Sequence, residues 1–227
     1  MKAEDLARYF DHTILKPDAT TAQVREVIEE SLRYQFAGVC VAATHAALAV
    51  HLTRGSSVEV VSVVGFPLGS ETTAAKVAQT SELVSCGVHE VDMVINVGWL
   101  KGGESSRVGE EMAAVVDAAA GRVVKVIIET CLLDDAEKRL ACSLIAGAGA
   151  QFVKTSTGFA KGGATVSDVR LLKEAARGRL GVKASAGIRT LAQALELIGA
   201  GADRLGCSSS VAIMTEFGRA AFHPDGT

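Results

Sequence analysis

The feature that most constrains this chain is an eightfold alternation. Short β-branched runs are separated, from one end to the other, by longer amphipathic or alanine-rich stretches. The runs begin near Asp11 (DHTIL), Gly38 (GVCVAA), Glu59 (EVVSVVG), Glu90 (EVDMVIN), Arg122 (RVVKVIIET), Phe152 (FVKTSTG), Leu180 (LGVKASAG) and Asp203 (DRLGCSS), with successive starts 21 to 32 residues apart. That interval holds one strand, one helix and two short loops, the repeat of a parallel α/β fold. Eight such units in 227 residues suit a compact (β/α)8 TIM barrel. The alternative is an open doubly wound sheet. It more often has fewer strands, and a dinucleotide-binding version would show GxGxxG after the first strand, which is absent.

The intervening segments carry helix signals. After Asp18, Val24, Val27, Ile28 and Leu32 share one face, and Thr20 with Gln23 has capping-box spacing. Thr190 and Gln193 repeat that spacing ahead of Leu191, Ala194, Leu195 and Ile198. Residues 3–9 read as a short N-terminal helix able to close the bottom of the barrel. No linker or composition shift interrupts the pattern, so residues 1–227 are expected to form a single domain. With only 3 prolines and 4% aromatic residues, the core must be built from Ala, Val, Leu and Ile, which disfavours sheet sandwiches.

A net charge of −3 argues against a nucleic-acid binder. No stretch of roughly 20 apolar residues offers a membrane span. Acids among the bases of residues 1–10, with no apolar run and cleavage site, disfavour a signal peptide. Five widely spaced cysteines without a CxxC pair read as reduced thiols in a cytoplasmic protein. The histidines show no HxH or HExxH spacing, which disfavours a local metal site.

Three ionisable residues interrupt apolar strand runs: Asp92 in EVDMVIN, Lys154 in FVKTSTG and Lys183 in GVKASAG. A charge in mid-strand is costly unless paired. A structural ion pair would account for one lysine; two lysines and a carboxylate at comparable positions point to a site. An ordinary lysine is neutral in only about 1 in 2,500 molecules at pH 7. Desolvation and a second cation lower its pKa and free the lone pair for attack on a carbonyl. Lys183 could supply that field to Lys154, with Asp92 holding Lys183 charged or moving protons. Asp11 either joins this network or caps a surface turn.

Glycine- and hydroxyl-rich turns follow runs six to eight: Thr155 to Gly158, Ser185 to Gly187, and Gly206 to Ser209. Three anion-friendly turns in neighbouring units suggest a phosphorylated small substrate. Cys40 reads as a small buried residue, with the pocket as the alternative. His12 reads as a turn residue rather than an acid or base, and Trp99 with Lys101 as candidates for a loop over the site.

The segments DHTILKPDAT, VVGFPLGS, EVDMVINVGWLKGG, VKVIIETCLL, FVKTSTGFAKGGAT and VKASAGIRT, in this order, closely resemble the deoxyribose-phosphate aldolase family. The resemblance implies a metal-independent, cofactor-free Schiff-base aldolase. Such an enzyme reversibly cleaves 2-deoxy-D-ribose 5-phosphate to acetaldehyde and D-glyceraldehyde 3-phosphate. It further implies Lys154 as the imine-forming residue, Asp92 and Lys183 as members of the proton-transfer network, and Asp11 as support for Lys183. Gly158, Gly187, Gly206, Ser208 and Ser209 match phosphate-binding positions, and a homodimer is compatible with the family. The residues alone stop at a phosphosugar-acting lysine enzyme. Another class I phosphosugar aldolase or transaldolase, and a non-catalytic phosphosugar-binding barrel, are the alternatives. Three features depart from the family pattern. Ala186 stands where KASGG is usual, and costs energy only if its φ is positive; Ala42-Ala43 replaces Asn-Pro; and residues 222–227 lack the terminal tyrosine of some members.

Overall fold

The computed structural model describes residues 1–222; the C-terminal difference from the family at residues 223–227 lies outside them. Eight parallel strands follow one another in sequence order and close into a barrel. They are β1 (Phe10–Ile14), β2 (Gly38–Val41), β3 (Glu59–Val64), β4 (Glu90–Val94), β5 (Val123–Ile127), β6 (Phe152–Lys154), β7 (Gly181–Ser185) and β8 (Arg204–Cys207). The closure of β8 onto β1, with Asp11 beside Gly206, excludes the open sheet. Each strand starts within one residue of its expected position.

The helices are α1 (Ala3–Ala7), α2 (Thr21–Tyr34), α3 (Ala46–Thr53), α4 (Thr73–Cys86), α5 (Val97–Lys101), α6 (Ser105–Ala118), α7 (Asp135–Gly147), α8 (Val166–Ala176), α9 (Leu191–Gly199) and α10 (Ser210–Phe222). Both expected capping boxes form, with Thr20 accepting from the Gln23 N–H and Thr190 from the Gln193 N–H. In α1, Leu6 and Ala7 are buried, and Arg8 just beyond it donates to the Phe36 and Ser57 carbonyls, immediately before β2 and β3. That segment therefore sits at the N-terminal end of the barrel, as expected. No described helix is long and apolar enough to cross a membrane.

Strand alternation divides the molecule into two interiors. One parity, Val39, Val41, Val60, Val91, Met93, Val124, Val126, Val153, Val182 and Leu205, joins the helix faces in the main apolar core. The other parity points into the barrel and carries the charged residues. Cys40, Val61 and Val63 form a small separate apolar cluster there with Leu15 and Phe66. Glycines make room for the charged side chains. A Cβ at Gly38 would lie 2.7 Å from Asp11 Oδ1, and one at Gly206 would lie 2.4 Å from Ser185 Oγ and 3.2 Å from Lys183 Cε.

Candidate active site

Register brings the four catalytic candidates together. Lys154 on β6 is level with Lys183 on β7 and with Ile127 on β5, while Asp92 on β4 is level with Lys125. Asp92 Oδ2 accepts from Lys154 Nζ and from Lys183 Nζ, each at 2.7 Å, and its Oδ1 accepts from Lys125 Nζ at 2.9 Å. Lys183 also pairs with Asp11, which is bound by Arg204 through Nε at 3.1 Å. Asp11 is thus fully buried in the barrel, and surface capping is excluded.

Three members of this network escape the sequence reading: Lys125, Glu90 and Arg204. Glu90 pairs with Lys125 and with Arg204 at 3.2 Å. The signal was present: Lys125 interrupts VVKVII as Lys154 interrupts FVK, and Glu90 lies two residues from Asp92 on the same face. A second buried pair, Lys76 on α4 with Glu111 on α6 at 2.8 Å, had no such signal, because helix partners distant in sequence meet only in the fold.

The network sets four basic groups, Lys125, Lys154, Lys183 and Arg204, against three carboxylates, Asp11, Glu90 and Asp92. One positive charge has no counterpart in a region that solvates charge poorly. Burial pushes the Lys154 ammonium below its usual pKa; Asp92 opposes that shift and the neighbouring Lys183 charge adds to it. Burial pulls Lys183 the same way, but Asp11 and Asp92 outweigh it and hold its pKa above the usual value. Burial would raise both carboxyls. Arg204, Lys183 and Lys125 hold Asp11 below the ordinary carboxylate range, and Lys125, Lys154 and Lys183 do the same for Asp92. Of the two lysines that share Asp92 Oδ2, Lys154 thus releases its proton more easily than Lys183, and of the three inward lysines it is the one that lines the cavity.

That cavity, about 610 Å³, opens at the C-terminal ends of β1, β6, β7 and β8. All five expected anion-site residues, Gly158, Gly187, Gly206, Ser208 and Ser209, line it, as do Ser185, the first residue of the second expected turn, and Lys16 and Arg189, which none of the expected turns includes. The N–H groups of Gly158, Gly187 and Ser208 meet no acceptor among the described residues, whereas the Ser209 N–H donates to Cys207 Sγ at 3.1 Å. The buried Ser185 Oγ also has no hydrogen-bond partner among the described residues. The start of α10 directly follows Ser209, adding the positive end of a helix dipole.

The remaining expectations divide. Cys40 is buried, and burial raises its thiol pKa. His12 is no turn residue: it lies in β1, faces outward, and its Nε2 is 2.8 Å from Glu30 Oε2. Alternation requires this, since Asp11 beside it points inward. Trp99 and Lys101 do not line the cavity. Trp99 stacks under Arg107 at 4.0 Å, and Lys101 donates to the Leu132 carbonyl and Glu137. Ala186 has φ 71°, so the condition under which alanine is costly is met. A left-handed backbone costs roughly 1–2 kcal/mol for a residue with a Cβ, partly offset by glycine's extra unfolded-state entropy. Replacing Ala186 with Gly is therefore expected to raise unfolding stability by up to about 1 kcal/mol. Urea titration would read this, and a loss of stability would mean that packing of the methyl outweighs the strain.

A closed (β/α)8 barrel with a desolvated amine at its mouth and unengaged glycine-turn N–H groups beside it has the equipment of a barrel aldolase. The model of the DeoC/LacD family aldolases matches residues 6–220, and the chain belongs to that family. It is 50% identical over 209 residues to the deoxyribose-phosphate aldolase of Coprothermobacter proteolyticus, covering 92% of this chain and 95% of the relative. It is 51% identical over 209 residues to that of Streptococcus gordonii, with the same coverage. Among solved structures, a putative deoxyribose-phosphate aldolase from Coccidioides immitis superposes with TM-score 0.93 at 37% identity, covering 96% of this chain and 87% of that one. A tetrameric deoxyribose phosphate aldolase from Aeropyrum pernix gives TM-score 0.90 at 34% identity, covering 96% and 92%.

Proposed function

We propose that this chain, acting as a single domain over residues 1–227, reversibly cleaves 2-deoxy-D-ribose 5-phosphate to acetaldehyde and D-glyceraldehyde 3-phosphate through an imine on Lys154. The observation that carries the reading is Lys154 Nζ, cavity-lining and desolvated, 2.7 Å from the carboxylate it shares with Lys183. The family and its relatives favour this substrate over the alternatives.

Neutral Lys154 attacks C1 of the open-chain aldehyde to give a carbinolamine, which loses water to form a protonated imine. The 3-hydroxyl proton leaves to a base, and the C2–C3 bond breaks. Its electron pair moves into the imine as an enamine, while C3 becomes the aldehyde of glyceraldehyde 3-phosphate. Asp92 and Lys183 carry the proton exchange: Asp92 Oδ2 lies against both amines and Lys183 is held cationic, so a proton returned along this route reaches C2 of the enamine. Water then hydrolyses the imine, freeing acetaldehyde and Lys154. Gly158, Gly187, Gly206, Ser208 and Ser209 hold the phosphate, and binding that remote group fixes the reacting carbons.

The test is acetaldehyde release from 2-deoxyribose 5-phosphate. Turnover insensitive to EDTA supports the reading. No turnover of this substrate but turnover of another phosphosugar points to a different class I aldolase or transaldolase, and phosphosugar binding without any turnover points to a binding barrel. A homodimer in the cytoplasm completes the reading; the family includes the tetrameric relative, and light scattering would read the assembly.

A further inference from the structure

Glu129, between β5 and α7, is a buried acid with a left-handed backbone, φ 53° and ψ 68°, and only 4% exposure. A buried carboxylate is expensive, and left-handed residues with a Cβ persist only where their surroundings enforce them. The Glu129 carbonyl accepts the Leu132 N–H at 2.9 Å, and the bonds around it run to the chain leaving Lys154. On either side of Glu129, the Ile128 N–H donates to the Lys154 carbonyl at 3.0 Å and the Thr130 N–H to the Thr155 carbonyl at 2.9 Å. These bonds extend the β5–β6 pairing past the end of β6. The left-handed turn then swings the Glu129 carboxylate back over the loop.

There the carboxylate takes both polar hydrogens of Thr157. The Thr157 N–H donates to Oε2 at 3.2 Å and Oε1 at 3.4 Å, and the hydroxyl donates to Oε2. With its proton committed, the Thr157 Oγ1 accepts the Phe159 N–H at 3.1 Å. The N–H groups of Thr157 and Phe159 are thus both turned toward protein. The one between them, on Gly158 at φ 87°, meets no acceptor among the described residues, and Gly158 lines the cavity. The acid fixes which amide of the turn faces the ligand.

We infer that Glu129 is a positioning residue for the substrate anion: acting through Thr157, it holds the Gly158 N–H toward the phosphate. This rests on the phosphosugar reading above. A carboxylate near an anion site repels the ligand unless it is spent on other donors, and here two donors of one residue absorb it.

The experiment compares kcat/KM for 2-deoxyribose 5-phosphate with that for unphosphorylated 2-deoxyribose, in wild type and in Glu129→Gln, Glu129→Leu and Thr157→Val. The ratio of the two measures what the phosphate contributes. It is expected to fall about tenfold in Glu129→Leu and in Thr157→Val, mostly through KM of the phosphorylated substrate, and less in Glu129→Gln, which keeps one acceptor. The double variant Glu129→Leu/Thr157→Val should lose no more than the worse single change, because both break one contact. Equal losses on both substrates, or a ratio that does not move, overturn the inference. If Glu129→Leu does not fold, Thr157→Val and Glu129→Gln carry the same comparison. Wild type inactive on both sugars would instead refute the proposed function.

Discussion

Replacing Lys154 with methionine is expected to abolish turnover while leaving the barrel as stable as before or more so. Removing the nucleophile of a covalent mechanism costs on the order of 10⁴-fold or more in kcat. Borohydride reduction during incubation with acetaldehyde should attach a two-carbon adduct to Lys154 in wild type and leave the variant unlabelled. The stability half of the expectation comes from the charge count. Three buried lysines and the partly buried Arg204 face three carboxylates, and Lys154→Met removes the surplus positive charge with little change of volume. A variant that melts well below wild type would show that Lys154 holds the network together rather than being held in it. Label at another lysine would sink the mechanism.

Changing Asp92 to asparagine should damage both fold and chemistry. The substitution keeps the shape but takes the one carboxylate among the described residues that touches Lys125, Lys154 and Lys183 together, leaving buried cations short of a counter-charge. Breaking a buried pair in this way costs roughly 3–5 kcal/mol, a fall in Tm on the order of 10 °C for a chain of this size. If Asp92 carries protons as proposed, kcat should fall by about 10²–10⁴-fold in the molecules that remain folded. A variant melting with wild type, or turning over at a comparable rate, contradicts the shared-carboxylate role.

The pH dependence follows from the same groups. The Lys154 pKa lies below its usual 10.5, so kcat/KM should rise with pH through that depressed value and level off before 10.5 as the amine becomes neutral. For stability the signs differ between groups. The unfolded chain protonates Lys154 more readily than the folded one does, so its burial costs stability at low pH, and this cost is relieved as pH rises toward 10.5. Asp11 and Asp92 are held below their ordinary 3.8. Their pairing stabilises the barrel fully above that value and is lost as acidification passes their folded pKa values.

The sequence by itself determined the eight units, two of their helix caps, and the imine candidate with its two nearest partners. Periodicity shows in single residues, and a charge in an apolar run declares itself without a neighbour. What the tertiary structure decided was how many charges share the interior and which of them is in surplus. Lys125 carried the same mid-strand signal as Lys154, and Arg204 and Glu90 sat in strand runs too. Only closure of the barrel brings β1, β4, β5, β6, β7 and β8 to one point, so only the fold balances four cations against three carboxylates and leaves one of them beside the cavity. Backbone angles are likewise invisible in the letters. Nothing in SAGIRT or IIETCLL states that Ala186 and Glu129 are left-handed, because those conformations are imposed by hydrogen bonds and packing with segments far along the chain.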